Sequence, residues 1–247
     1  LTGGGALALG VFQARVLLAR LAPAAVVGFG GFASVPTVVA ARWLGLPVVL
    51  HEQNAVLGRA NRLLARYATT IATSFAETAG VPAGDQAKTR AIGNPVRDEI
   101  ATLRDSAYSP PTGDRPVHLL ITGGSQGARV FADILPPALA ALPAALRARL
   151  RVAQQARQED VARVTAAYRT SGIDAEVSSF FGDMARRLAA AHLLICRAGA
   201  STMAEIAAAG RPAVLVPYPH AMDDHQSANA RAATDTGAAW LLAEGPL

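Results

Sequence analysis

The chain has 247 residues, a formal net charge of +5 and one cysteine, Cys196. With 51% hydrophobic and 17% charged residues it is excluded from the disordered class. A single cysteine excludes an internal disulfide framework and fits a reducing compartment. The positive balance points to an anionic partner: nucleic acid, a phosphate-bearing metabolite or an acidic membrane surface. Aromatic residues at 5% count against the first, because single strands are held on stacking platforms.

Strand-like apolar runs alternate with helical patterns along the chain. LALGVFQARVLLARLAP (7–23) reads as a helix with Leu9, Phe12, Val16 and Leu17 toward one side and Arg15 and Arg20 nearby. AAVVGF (24–29), PVVLHE (47–52), TTIATS (69–74) and a short run near Thr89–Ile92 read as strands. SVPTVVAARWLG (34–45) and GRANRLLARYA (58–68) read as helices between them. YSPPTGDRP (108–116) is loop-like. The alternation then resumes with strands HLLIT, RVAQQ, AEVSSF, HLLIC and AVLVP, and helices from 128, 158, 183, 201 and 224 onward. Such alternation predicts parallel sheets with helical crossovers. The break near 95–116 divides the chain into two α/β units, expected at residues 1–96 and 97–247. No apolar run approaches the roughly 18 residues of a spanning helix, and the start at Leu1 suggests a fragment.

Two strand-to-helix connections are rich in glycine, GFGGF (28–32) and TGGSQGAR (122–129). Glycine lets backbone N–H groups approach an anion beside a helix N-terminus; a tight turn is the plainer reading. The second loop departs from the dinucleotide fingerprint, since Thr122 replaces its first glycine and the next strand ends in Gln154 and Gln155 rather than an acid. CRAGASTMAEIAAAGRPAVLVP (196–217) places a lone carboxylate, Glu205, in an alanine-rich helix. Ser201 or Thr202 would be the N-cap, with Glu205 near the third or fourth helical position, where a capping box competes with a ligand role. Gly210 would end that helix. HEQN (51–54) gathers polar groups at a strand end. His220, Asp223, Asp224 and His225 resemble a loop with Asp223 capping the next helix more than a metal site, and no metal is expected.

Taken together, VGFGGFAS, PVVLHEQNAVLGRAN, GNPVR, ITGGSQGAR, FFGDMA and CRAGASTMAEIAAAGRPAVLVPYPHAMDDHQSANA resemble the MurG family of N-acetylglucosaminyltransferases, within glycosyltransferase family 28, through essentially the whole chain. The resemblance implies a GT-B fold: two Rossmann-like parallel-sheet domains facing across a cleft, the first incomplete here. It implies inverting transfer of N-acetylglucosamine from UDP-N-acetylglucosamine to the 4-hydroxyl of the muramic acid sugar of lipid I, forming lipid II in peptidoglycan synthesis. It assigns the donor to Asn54, Arg97, Ser125, Phe181, the run Ala200, Ser201, Thr202, Met203, Ala204 and Glu205, and Gln226. Glu205 would take the ribose hydroxyls and Gln226 the sugar. Gly30 and Gly31 become candidates for the acceptor diphosphate. No cofactor and no nucleic acid are implied. The place of work would be the cytoplasmic face of the bacterial plasma membrane, where the basic chain meets anionic lipid. The family's first glycine-rich loop, of the form GGTGGH, and its favoured basic histidine do not occur in the sequence, so no general base is assigned and turnover by these residues alone is not expected. The same architecture would also suit a UDP-N-acetylglucosamine 2-epimerase or a non-enzymatic, membrane-associated binding module.

Overall fold

A computed structural model describes residues 3–124 and 128–245. The chain divides into two compact units, Leu1–Asn94 and Pro95–Leu247.

The first unit begins with α1 (Gly3–Leu21), which Ala22 ends with a positive φ of 42° ahead of Pro23. Then follow β1 (Val26–Gly28), α2 (Ser34–Trp43), β2 (Val48–Glu52), α3 (Arg59–Leu64), β3 (Thr70–Thr73) and β4 (Thr89–Ala91). Its four strands pair in parallel in the order β1-β2-β3-β4. β2 is buried along most of its length, so its run of apolar residues lacks the alternation of a half-exposed strand. Val38, Val48, Leu50, Leu57, Leu64 and Ile71 are fully buried and form the unit's core. The helix read over 58–68 is shorter than expected: it changes to a 3-10 turn at Ala65–Tyr67.

One sequence expectation is corrected here. α1 contains an 18-residue window, Gly4–Leu21, with mean hydropathy 1.3, long and apolar enough to cross a membrane by length and composition. Gln13 and the two arginines interrupt the apolar run without lowering its average far enough. Val11 and Leu18 are buried, and the helix packs on α2. Leu9, Phe12, Val16, Leu17 and Leu21 remain exposed, Phe12 by 61%.

The second unit contains α4 (Asp98–Ala101), β5 (Val117–Thr122), α5 (Arg129–Ala140), α6 (Ala144–Arg147), β6 (Leu150–Gln155), α7 (Val161–Thr170) and β7 (Asp174–Ser178). It continues through α8 (Met184–Ala190), β8 (Leu193–Cys196), α9 (Ala200–Ala209), β9 (Ala213–Leu215), α10 (His225–Thr234) and β10 (Ala239–Leu241). The short α4 and α6 and the final strand were not anticipated, because elements of three or four residues carry too little periodicity to read. The sheet is fully parallel in the order β10-β9-β8-β5-β6-β7. The α/β class and the parallel sheets with helical crossovers therefore hold in both units.

The strand order matters for function. From β5 the chain steps outward through β6 to β7 and then crosses back to β8 on the other side of β5, so the connections that follow β5 and β8 run in opposite directions. Parallel sheets open a crevice at the carboxyl ends of the strands where the order reverses, and ligands settle there.

Candidate functional site at the switch point of the second sheet

Thr122 and Cys196 are register partners at the ends of β5 and β8, so the connections after these strands start side by side. Arg197 N–H donates to Thr122 O at 3.4 Å, which ties them. Thr122 Oγ1 donates to Gln155 Oε1 at 2.8 Å, and Gln155 Nε2 donates to Ser179 O at 3.3 Å. Gln154 is fully buried, with its Oε1 accepting from the Tyr168 hydroxyl. The two glutamines that stand where a dinucleotide fold keeps its ribose acid thus tie the carboxyl end of β6 to its neighbours. After β5, Gly124 adopts φ 79°, a left-handed conformation that glycine takes at no steric cost. Ser125 lies outside the described residues.

The turn after β8 is held from behind. Arg197 is buried, and its Nη1 donates to Val216 O at 3.0 Å and Pro217 O at 3.1 Å. The same atom lies 2.6 Å from Glu244 Oε2, an ion pair, and the guanidinium lies over the Phe131 ring at 5.2 Å. Asn229, fully buried on α10, donates from Nδ2 to Ala198 O at 3.0 Å. Cys196 is fully buried, and burial pushes its thiol up to about 12. Arg197 and Asn229 were not singled out from the sequence; the signals were an arginine directly after a buried strand, and an asparagine one helical turn beyond Gln226.

The expected start of α9 is corrected. Gly199, not Ser201 or Thr202, occupies the N-cap, and no side chain caps the helix. Ala200, Ser201 and Thr202 form its first turn, and the first intrahelical bond runs from Met203 N–H to Gly199 O at 2.9 Å. Glu205 is therefore the sixth helical residue, beyond reach of a capping box, which needs the third position. An uncapped N-terminus keeps unpaired N–H groups and partial positive charge available to an anion. Met203, Ile206 and Ala209 face the core, while Glu205 lies partly open. Gly210 closes the helix with φ 61°, as its sequence position suggests.

Glu205 does have a partner. Arg97, immediately before α4, places Nη2 at 3.5 Å from Glu205 Oε1 and Nη1 at 3.1 Å from Glu99 Oε1. The structure thus brings Arg97 and Glu205 together, 108 residues apart in sequence, because α4 packs against α9. Gln226, partly exposed near the start of α10, accepts the Tyr218 N–H on Oε1 at 3.0 Å. Phe181 is buried beneath the Arg187 guanidinium, 3.9 Å from its ring, so its side chain serves packing and only its backbone remains for a ligand. Met203 is likewise buried.

Asp224, not Asp223, stands at the N-cap of α10, in a left-handed conformation without a side-chain cap. Asp224 pairs with Arg231 at 3.3 Å, and His225 Nδ1 lies 2.7 Å from Met222 O. Among the described residues no three His, Cys, Asp or Glu side chains gather as metal ligands.

In the first unit, Asn54 donates from its backbone N–H and its Nδ2 to Glu52 Oε1 at 3.1 and 3.2 Å. Glu52 Oε2 accepts from Gly58 N–H and Asn61 Nδ2, both at 2.9 Å. The buried Glu52 carboxylate therefore shapes the loop that carries Asn54, a role the polar cluster HEQN did not disclose. Gly30 and Gly31 have φ of 84° and 72°. The Ser34 hydroxyl donates to Gly30 O, and a Cβ at Gly30 would meet Asn61 at 3.3 Å. Phe29 and Phe32 flank this turn and are exposed.

Residues 118–247 match the model of the glycosyltransferase family 28 C-terminal domain, and residues 4–73 that of the family 28 N-terminal domain. A relative from Paramagnetospirillum magneticum, named UDP-N-acetylglucosamine--N-acetylmuramyl-(pentapeptide) pyrophosphoryl-undecaprenol N-acetylglucosamine transferase, is 57% identical over 236 residues, 96% of this chain. A relative of the same name from Rhodospirillum rubrum is 56% identical over 98% of the chain. The chain spans 64% and 62% of the length of these two relatives. The crystal structure of Acinetobacter baumannii MurG superposes with a TM-score of 0.82 at 36% identity, over all of this chain and 68% of that one. A putative UDP-N-acetylglucosamine 2-epimerase from Listeria monocytogenes shares the fold, with a TM-score of 0.60 at 13% identity over 85% of this chain and 61% of that one.

Proposed function

The chain belongs to glycosyltransferase family 28, and we propose that it forms the UDP-N-acetylglucosamine-binding unit, with part of the acceptor unit, of the transferase that converts lipid I to lipid II. The observation that carries this reading is the second unit's switch point. There the uncapped N-terminus of α9, the glycine turn after β5 and the Arg97–Glu205 pair converge within one unit.

The reaction is an inverting displacement. The 4-hydroxyl oxygen of the muramic acid sugar forms a bond to the anomeric carbon of N-acetylglucosamine. The bond from that carbon to the diphosphate oxygen breaks, and UDP leaves with the electron pair. The hydroxyl proton passes to a base, which the family resemblance locates on its first glycine-rich loop. Negative charge grows on the leaving diphosphate, and fixed donors aimed at it stabilise the transition state. The N–H groups of Ala200, Ser201 and Thr202 and the guanidinium of Arg97 supply that positive potential. Glu205 accepts the ribose hydroxyls. Gln226, with Oε1 already used by Tyr218 N–H, offers its Nε2 to the sugar. In the first unit, Asn54 is a candidate for the donor and the Gly30–Gly31 turn for the acceptor diphosphate. Contact with an anionic membrane surface is the second part of the proposal. It rests on the exposed apolar residues of α1, the exposed Arg15 and Arg20, and Trp43, which is 67% exposed.

Product analysis with UDP-N-acetylglucosamine and a lipid I analogue, using the full-length protein, tests the activity. Formation of the disaccharide-linked lipid with release of UDP is expected. Release of an epimerised UDP-sugar without acceptor would contradict it and favour the epimerase reading.

A further inference from the structure

Arg97 is shared between two carboxylates, and only one of them belongs to the donor site described above. Its Nη1 lies 3.1 Å from Glu99 Oε1, closer than its Nη2 lies to Glu205 Oε1 at 3.5 Å. Arg97 and Glu99 are each about half exposed, with side-chain exposures of 54% and 53%, whereas Glu205 is at 24%. One guanidinium therefore faces two carboxylates, an excess of negative charge among these three groups. A diphosphate bound there competes with both carboxylates for the guanidinium's N–H donors. Glu205 is compensated by the ribose hydroxyls. Glu99, half exposed, is left to solvent.

We propose that Glu99 is a positioning residue that holds Arg97 back from the donor's diphosphate and so weakens nucleotide binding to a set level. The inference rests on the donor-site reading and deepens it. The two carboxylates split the arginine's charge, and donor binding becomes a transfer of that charge from Glu99 to phosphate. A brake of this kind favours release of the leaving UDP. An exposed ion pair limits the brake to an effect of about two- to fivefold in affinity.

Calorimetric titration of the 247-residue chain with UDP, and separately with uridine, tests this. Glu99→Gln is expected to tighten UDP about two- to fivefold and to leave uridine unchanged, since uridine carries no phosphate to compete for Arg97. Asp98→Asn removes the same charge from the neighbouring exposed position and is expected to leave both affinities unchanged. In an Arg97→Ala background, Glu99→Gln is expected to bring no gain. Unchanged or weaker UDP binding by Glu99→Gln overturns the proposal. So does an equal gain with uridine, in Asp98→Asn or in the Arg97→Ala background, each of which reduces the effect to bulk charge. A wild-type chain that binds no UDP overturns the donor-site reading and this inference with it.

Discussion

Glu205 shows how a single residue's role depends on where its helix begins. Because α9 starts at Ala200 with Gly199 as cap, the carboxylate caps nothing, and its contact is the long, solvent-screened one to Arg97. Glu205→Gln is therefore expected to weaken UDP-N-acetylglucosamine binding by about tenfold or more, as loss of charged hydrogen bonds to both ribose hydroxyls requires. The melting temperature of the ligand-free chain should change little, because exposed pairs of this kind contribute roughly 1 kcal/mol or less. A lower melting temperature with donor affinity intact would assign Glu205 to the fold instead. Cys196, fully buried and with its thiol pushed up to about 12, is expected to resist alkylation at mildly alkaline pH in the folded chain and to react once unfolded.

At the scale of elements, the turn after β8 depends on side chains that never meet the ligand. Asn229→Ala removes the donor to Ala198 O and leaves that carbonyl buried without it, so a loss of about 1–3 kcal/mol is expected in denaturant unfolding. At the amino end of the same strand, His192 Nδ1 accepts the His118 N–H at 2.9 Å. Burial, with help from His118 and Arg211, holds the imidazole below its usual 6.5. The unfolded chain then binds the proton more readily, so this contribution is complete above pH 6.5 and declines as pH falls below that value toward the folded pKa. A His192→Asn variant should flatten the stability profile in that window; an unchanged slope would contradict the assignment. The long elements were legible because apolar runs and helical periodicity repeat over enough residues to be read. The ends of α9 and α10 were not, because Ser201, Thr202 and Asp223 are good caps by residue type while the backbone placed the caps at Gly199 and Asp224. The Arg97–Glu205 pair was named residue by residue from the family resemblance, but its union depends on α4 packing against α9, which no local pattern encodes. Strand order, and with it the switch point, is likewise a property of crossover direction that sequence alternation leaves open.

For the whole molecule, two features set the expectations. The chain spans 64% and 62% of its two closely matching relatives, and the family's GGTGGH loop does not occur in its sequence, so residues 1–247 alone should bind donor without appreciable turnover; transfer at a full-length rate would refute the role given to that loop's histidine. α1 exposes an apolar face beside Arg15 and Arg20. Sedimentation with anionic vesicles should exceed that with neutral ones, each basic residue near the surface contributing about 1 kcal/mol. Equal sedimentation would remove the electrostatic part. The donor-binding expectations all depend on the crevice outside β5 and β8 holding the nucleotide. Amide hydrogen exchange on residues 1–247, with and without saturating UDP, tests it most directly. Slowed exchange is expected in peptides covering the β5–α5 connection and the β8–α9 connection through Glu205. Protection confined to other segments, or none at all, would contradict it.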